Sequence, residues 1–203
     1  MLNQFSNLSC YEEFEMQATL AGISKIEVLE EIGHQIDDYY FFVSNDGIFN
    51  WFDLEGNHID DPGVLKVLNC NYIPKTVTKC IIPKSVIIIG EWAFSYCTSL
   101  KEITIPDNVT SIGYWAFLAC TSLKEITIPN SVKSIGNSTF SHCKSLTSIT
   151  IPDSVSVTNI GGWIFYHCES LKEVIFKGKA LKEVKQMKYY PFGIEDKSVF
   201  KFG

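Results

Sequence analysis

The chain has 203 residues, of which 46% are hydrophobic, enough for a packed core and too many for a wholly disordered chain. All 17 of its basic residues are lysines and the net charge is −6. Because arginine makes the bidentate contacts to phosphate and guanine, this composition argues against a nucleic-acid partner. Apolar runs such as Val86–Ile89 are too short to cross a membrane, so we expect no membrane insertion.

The charge is divided unevenly along the chain. Residues 1–70 contain 13 acids and two lysines, whereas residues 71–203 contain 10 acids and 15 lysines. This change from an acidic to a basic composition coincides with the start of a repeated sequence. We therefore predict an N-terminal α+β capping domain over residues 1–70, repeats over 71–178 and a C-terminal cap over 179–203.

The first 70 residues do not repeat. Tyr11–Leu20 and Lys25–Ile36 have the apolar spacing of helices. Asn45-Asp-Gly47 lies between two β-prone runs, Tyr40–Val43 and Ile48–Leu54. This arrangement predicts a hairpin with a primed turn.

A strong internal repeat begins at Ile82 with the sequence IPKSVIIIGEWAFSYCTSLKEIT. Closely related segments start at Ile105, Ile128 and Ile151, and the last of them has two extra residues. Residues 73–83 are predicted to form a truncated first rung, in which Val77, Cys80 and Ile82 take the repeated apolar positions.

One part of each repeat alternates between apolar and polar residues. Ile103 and Ile105 are expected to face inward, with Glu102 and Thr104 facing outward, as in a strand. Pro106 lacks an N–H and is expected to end that strand. One unit cannot bury its apolar face alone, so stacked parallel strands must share a continuous core.

A second part of each repeat follows the sequence Ile-Gly. Gly113 precedes what we predict is a short helical turn, from which Ala116, Phe117 and Cys120 point inward. We expect one phenylalanine from each repeat to form a buried spine beside the cysteines: Phe94, Phe117, Phe140 and Phe165. After the last strand, Ala180–Met187 has helical apolar spacing, which predicts a helical C-terminal cap that Pro191 ends.

The pattern LxxIxIP…IGxxAFxxC resembles the BspA-like, or Treponema pallidum type, leucine-rich repeats, and the resemblance covers roughly residues 73–178. It implies an α/β solenoid, a right-handed superhelix with a parallel β-sheet on its concave face. It also implies a binding role, since such proteins commonly adhere to host matrix or to other cells.

The seven cysteines and four histidines show no catalytic or metal-binding spacing. There is no CxxC pair, and the geometry of a stacked thiol ladder keeps identical side chains too far apart for disulfides. In the adjacent pairs His142–Cys143 and His167–Cys168, the two side chains are expected to point in different directions. We therefore expect no cofactor, no metal and no enzymatic activity.

The surface columns differ in how much they vary between repeats. The outward residues of the strands barely change, whereas the turn positions carry exposed aromatic side chains. These are the candidate binding residues for a protein partner: Trp92, Trp115, Trp163, Tyr96 and Tyr114. The alternative is that the tryptophans pack sideways on their neighbours as part of the rung.

The sequence thus favours a non-catalytic, protein-binding module of adhesion or scaffold type, present as a monomer or weak oligomer. Two alternatives stay open: an enzyme or effector with its activity in the N-terminal domain, and a self-assembling structural component. The N-terminal residues lack the features of a secretory signal, so we expect a cytoplasmic location, with the cell surface as the alternative that the resemblance implies.

Overall fold

The computed structural model describes residue 24 and residues 33–202, except residues 45, 71 and 157. The chain divides into two compact units, the first ending at Val64 and the second beginning at Leu65, with residues 45–47 assigned to the second. In the described residues, no helix is long and apolar enough to cross a membrane.

Over its described residues, the first unit contains a four-stranded antiparallel sheet whose strands follow one another in chain order: β1 His34–Ile36, β2 Tyr39–Val43, β3 Phe49–Asp53 and β4 His58–Ile59. Its core contains the side chains of Phe41, Trp51 and Phe52, each at most 1% exposed. Three successive residues are buried in each of β2 and β3, and successive side chains point to opposite faces, so both faces of this pair are covered.

The predicted hairpin is confirmed, but its turn is not a two-residue primed turn. Val43 pairs with Phe49 and the Ser44 N–H donates to the Ile48 carbonyl, which leaves three residues in the loop. Gly47 has a φ of 77°, as the last residue of such loops requires.

One predicted helix is wrong at its C-terminal end. His34–Ile36 forms β1 and pairs with β2, because the chain reverses through Asp37, whose φ is 48°. The helix predicted over Tyr11–Leu20 and, apart from Gly33, the remainder of the one predicted over Lys25–Ile36 lie outside the described residues.

The second unit is a β-solenoid built from short strands. In chain order they are β5 Val67–Leu68, β6 Lys79–Ile81, β7 Ile88–Ile89, β8 Glu102–Thr104, β9 Ser111–Ile112, β10 Glu125–Thr127, β11 Ser134–Ile135, β12 Ser148–Ile151, β13 Glu173–Phe176 and β14 Phe200–Phe202. All pairings among them are parallel, which confirms the stacked strands expected from the repeat. The handedness and curvature stay predictions.

These strands form two columns. In the first, Cys80 pairs with Ile103, and Ile126 pairs with Ile149, so the repeated apolar residues lie above one another. Val77 and Cys80, two of the apolar positions of the predicted truncated rung, are fully buried, while the truncation itself stays a prediction. The second column, in which Leu68, Ile89, Ile112 and Ile135 stack, was not expected as a ladder.

A third column consists of the segments after each Ile-Gly: Trp92–Cys97, Trp115–Cys120, Ser138–Cys143 and Trp163–Cys168. They are successive turns instead of the predicted helical turn. The N–H groups of Trp92, Phe94 and Tyr96 donate to carbonyls of the next repeat, at 3.0, 2.7 and 2.8 Å. A helix would direct those donors along its own axis, so this column cannot be helical and also bond to the next rung.

The inner side of this column confirms the phenylalanine spine. Phe94, Phe117, Phe140 and Phe165 are at most 1% exposed. Their rings stack nearly parallel at centroid separations of 5.1, 5.5 and 6.2 Å.

The C-terminal segment is less helical than the sequence predicts. The helix α1 covers only Leu181–Lys185, and a single 3-10 turn follows at Lys197–Val199. The tail then adds β14, which pairs with β13 and places Phe200 beside Val174 and Phe202 beside Phe176. In a strand, Phe200 and Phe202 both align with the buried residues of β13, whereas a helix could not align both. The tail therefore continues the sheet.

Candidate functional site

The four candidate residues Trp92, Trp115, Trp163 and Tyr96 all occupy left-handed backbone positions, with φ between 55° and 61°. Each turn of the third column has two such positions, four residues apart. Left-handed conformation is costly for residues with a Cβ, and here it is maintained by the hydrogen bonds to the next repeat. These positions place their side chains on the outer side of the column, which we call the turn face.

The strain at these positions can be measured at Ala119, whose φ is 57°. Replacing Ala119 with glycine removes the Cβ that disfavours this conformation and leaves the ladder intact. We expect A119G to raise the free energy of unfolding by about 0.5–1 kcal/mol in urea titrations. The control is A116G, at a fully buried position without positive φ, which should be destabilising. A less stable A119G protein would contradict the assigned backbone.

Glycine begins each turn because two backbones approach closely there. A Cβ at Gly113 would lie 2.7 Å from the Glu91 nitrogen, and one at Gly136 would lie 2.6 Å from the Tyr114 nitrogen. The repeated Ile-Gly is therefore a packing requirement of the stacked rungs.

One aromatic cluster lies on the first two turns. The Trp92 and Trp115 rings stack at 4.6 Å, and Tyr114 meets Trp115 edge-on at 6.0 Å. Trp92 is 39% exposed, Tyr114 is exposed and Trp115 is half-buried. The sideways packing considered as an alternative is thus present between Trp92 and Trp115, and it leaves part of the cluster open to solvent.

A second cluster lies on the fourth turn, beyond the gap left by Ser138 in the third. Trp163 is 60% exposed and meets Tyr166 edge-on at 5.3 Å. Tyr189, from the C-terminal segment, packs over Gly162. Sequence reasoning missed Tyr189, because it lies outside the repeat; the aromatic-rich Tyr189-Tyr190-Pro191 was the available signal. Tyr96 is 58% exposed on the first turn.

The cysteines of the ladder bond backbone carbonyls of the preceding rung. The thiols of Cys120, Cys143 and Cys168 donate to the carbonyls of Phe94, Phe117 and Phe140, at 3.2, 3.1 and 3.0 Å. Burial raises the pKa of the Cys80 and Cys168 thiols to about 12 and that of Cys120 and Cys143 well above its ordinary value. A thiol held protonated is a poor nucleophile and a poor metal ligand.

Two of the four histidines, His142 and His167, lie on the turn face, apart from the thiols. The Nδ1 atom of His142 is hydrogen-bonded to the Ser141 hydroxyl at 2.9 Å. The centroid of the His142 ring lies 4.8 Å from that of the His167 ring. Cys143, next to His142 in the chain, bonds the Phe117 carbonyl, so the two do not form a dyad. Across the described residues, no three acidic, histidine or cysteine side chains converge as a metal site.

The outward residues of the first strand column form a strand face of a different kind. Lys79 and Glu102 pair at 3.3 Å with both side chains more than half exposed. Glu125 and Thr127 continue the same exposed columns on the next strand. Apart from Ile81, which is 58% exposed, these outward residues are polar and solvated.

Comparison with curated proteins gave no significant match. A leucine-rich repeat protein from Bacteroides ovatus is 31% identical, with a TM-score of 0.51, over 70% of this chain and 40% of that one. The T. pallidum leucine-rich repeat protein TpLRR is 28% identical, with a TM-score of 0.53, over 70% and 71%. The pneumococcal vaccine antigen PcpA shares the fold at 23% identity and a TM-score of 0.57, over 85% of this chain and 42% of that one.

The chain therefore spans less than half the length of two of these three relatives. Residues 69–193 match six copies of the repeat described as the BspA type leucine rich repeat region. This match covers more than half of the sequence, so the chain belongs to the BspA-type leucine-rich repeat family.

Proposed function

We propose that the solenoid is a non-catalytic module, of scaffold or adhesion type, that binds a protein partner through its turn face. A leucine-rich repeat protein of this family fits a protein-binding or scaffold module. The observation that carries the proposal is the exposure of large aromatic side chains on one side of the repeat array: Trp92, Tyr96, Tyr114 and Trp163, with the half-buried Trp115 stacked on Trp92.

The two faces differ in what a partner gains by covering them. Burial of apolar surface contributes about 25 cal/mol per Å², and exposed aromatic rings carry much of it. An exposed ion pair such as Lys79–Glu102 is worth little and is already satisfied by solvent. Covering the turn face therefore supplies more binding free energy than covering the strand face.

The substitution W115S tests this proposal, because Ser138 occupies the equivalent position in the third repeat. Removing the ring breaks the stack on Trp92 and opens the first cluster. We expect partner recovery in a quantitative pulldown to fall about tenfold or more, while the protein stays folded by circular dichroism.

The matched control is E125K on the exposed strand face, which should leave partner recovery unchanged. W163S should also weaken binding, with less effect on stability because Trp163 is the more exposed. Loss of the partner with E125K and its retention with W115S would place the interface on the strand face and refute the proposal.

Of the two roles, we propose that of a cytoplasmic scaffold in preference to that of a surface adhesion protein. The support is the thiol ladder: Cys80, Cys97, Cys120, Cys143 and Cys168 form no disulfide, which suits a reducing compartment. Fractionation of the source cells, followed with an antibody to this chain, distinguishes the two locations. Recovery in the cytoplasmic fraction is expected, and release from the cell surface by protease treatment would favour adhesion.

A further inference from the structure

The C-terminal segment forms one wall of a cleft beside the fourth turn. The Phe165 N–H donates to the Phe192 carbonyl at 3.1 Å, as the Phe140 N–H donates to Ile164 at 3.0 Å in the preceding rung. Phe192 also has a positive φ of 59°, like the turns it follows. The segment thus continues the third column at this one position, and the bond joins the two walls of the cleft.

Aromatic rings form the surface of this C-terminal cleft, which has a volume of about 400 Å³ and lies between residues 162–166 and 189–195. Trp163 and Tyr166 are nearly perpendicular, with an interplanar angle of 86°. Tyr189 lies over Gly162, where a Cβ would be 2.9 Å from its Cδ1. Tyr190 and Pro191 complete the apolar lining. Four aromatic rings and one proline thus make up most of this lining.

This shape suits a polyproline II segment better than a strand. Proline rings fit between aromatic side chains, and a polyproline II segment is already extended, so it loses little conformational entropy on binding. An added β-strand needs open backbone donors and acceptors, whereas the Phe165 N–H and the Phe192 carbonyl at this wall bond each other.

Acidic side chains lie at one end of the cleft. Glu195 lines it, and Glu169 and Asp196 join Glu195 in lining the adjoining depression. Hydrogen bonds from Ser198 hold the pKa of Asp196 below its ordinary value, so that carboxylate is charged at neutral pH. Lys144 pairs with Glu169 at 3.0 Å, while Lys188 and Lys197 lie over the rings of Tyr189 and Tyr190.

We infer that the C-terminal cleft binds a proline-rich segment in the polyproline II conformation, with a lysine or arginine of that segment beside Glu195. The inference rests on the proposed function, since Trp163 belongs to both surfaces, and it names the class of partner. The proline rings lie on Trp163, Tyr166 and Tyr189, and the cation lies at the acidic end.

The test is isothermal titration calorimetry of the whole chain with the synthetic peptide Lys-Pro-Pro-Ile-Pro-Pro-Ile. We expect saturable one-to-one binding. W163S and Y189S should each weaken it at least about tenfold. E195Q should weaken it about threefold, and only when the peptide carries its lysine. W92S, a turn-face tryptophan outside the cleft, is the matched control and should leave the affinity unchanged.

Y189F keeps the ring and should keep both the affinity and the thermal midpoint, which separates a binding role from a folding defect. No saturable binding to the wild type, or equal weakening by W92S and Y189S, would overturn the inference. Self-association of the wild type that Y189S abolishes would also overturn it, because the occupant would then be a second copy. Failure of W115S in the pulldown bears only on the proposed function, since the titration uses purified protein and peptide.

Discussion

Substitution of Phe117 by alanine is expected to lower the free energy of unfolding by about 3–5 kcal/mol. Its ring is fully buried and stacks on Phe94 on one side and Phe140 on the other. In a repeat array, stability comes largely from interfaces between neighbouring units, and Phe117 contributes to two of them. The resulting cavity cannot close, because the turn backbones on both sides are bonded to one another.

Urea unfolding followed by circular dichroism measures this effect. F117L keeps most of the apolar volume and should cost less than about 1.5 kcal/mol, so it serves as the matched control. An unchanged midpoint for F117A would be incompatible with the stacked spine.

The inward positions of the repeat could be predicted because burial imposes strict periodicity. Ile103 and Ile105 alternate with Glu102 and Thr104, and a strand with one buried face allows only one register. The 23-residue recurrence of Phe117 and Cys120 indicates the same inward side in every repeat. These features depend on local pattern alone, which a sequence displays directly.

The conformation of the turns could not be predicted in the same way. Tryptophan and tyrosine do not favour positive φ, yet Trp92 and Tyr96 adopt it because their N–H groups bond the next repeat. Such bonds depend on the neighbouring rung and have no signature within one repeat. The strand at Phe200–Phe202 was missed for a similar reason, since its pairing partner lies in β13.

The candidate surface was only partly visible in the sequence. Repeated positions indicated Trp92, Trp115 and Trp163, but not that Ser138 would divide them into two clusters with different exposure. The contribution of Tyr189 depends on how the tail folds back beside Gly162, which is a tertiary effect.

Stability is expected to fall steeply at alkaline pH because of the thiol ladder. Cys80 and Cys168 have a pKa of about 12 in the folded protein, and Cys120 and Cys143 are raised further above their ordinary value by burial. An unfolded chain ionises its cysteines near pH 8.5. The folded state therefore retains protons that the unfolded state has released, and each pH unit above that point favours unfolding.

Burial also raises the pKa of Cys97, to about 11, so five ladder thiols contribute below that pH. Each changes the free energy of unfolding by about 1.4 kcal/mol per pH unit, and the five together give about 7 kcal/mol per unit. The stabilisation is fully present below about pH 8.5 and is lost progressively toward pH 12. Since domains of this kind are stable by about 5–15 kcal/mol, we expect cooperative unfolding between about pH 9 and 11. Urea titrations at closely spaced pH values measure the slope. The double variant C120A/C143A removes two of the five thiols and should show about three fifths of the slope. A slope that does not change would mean that these thiols ionise without unfolding.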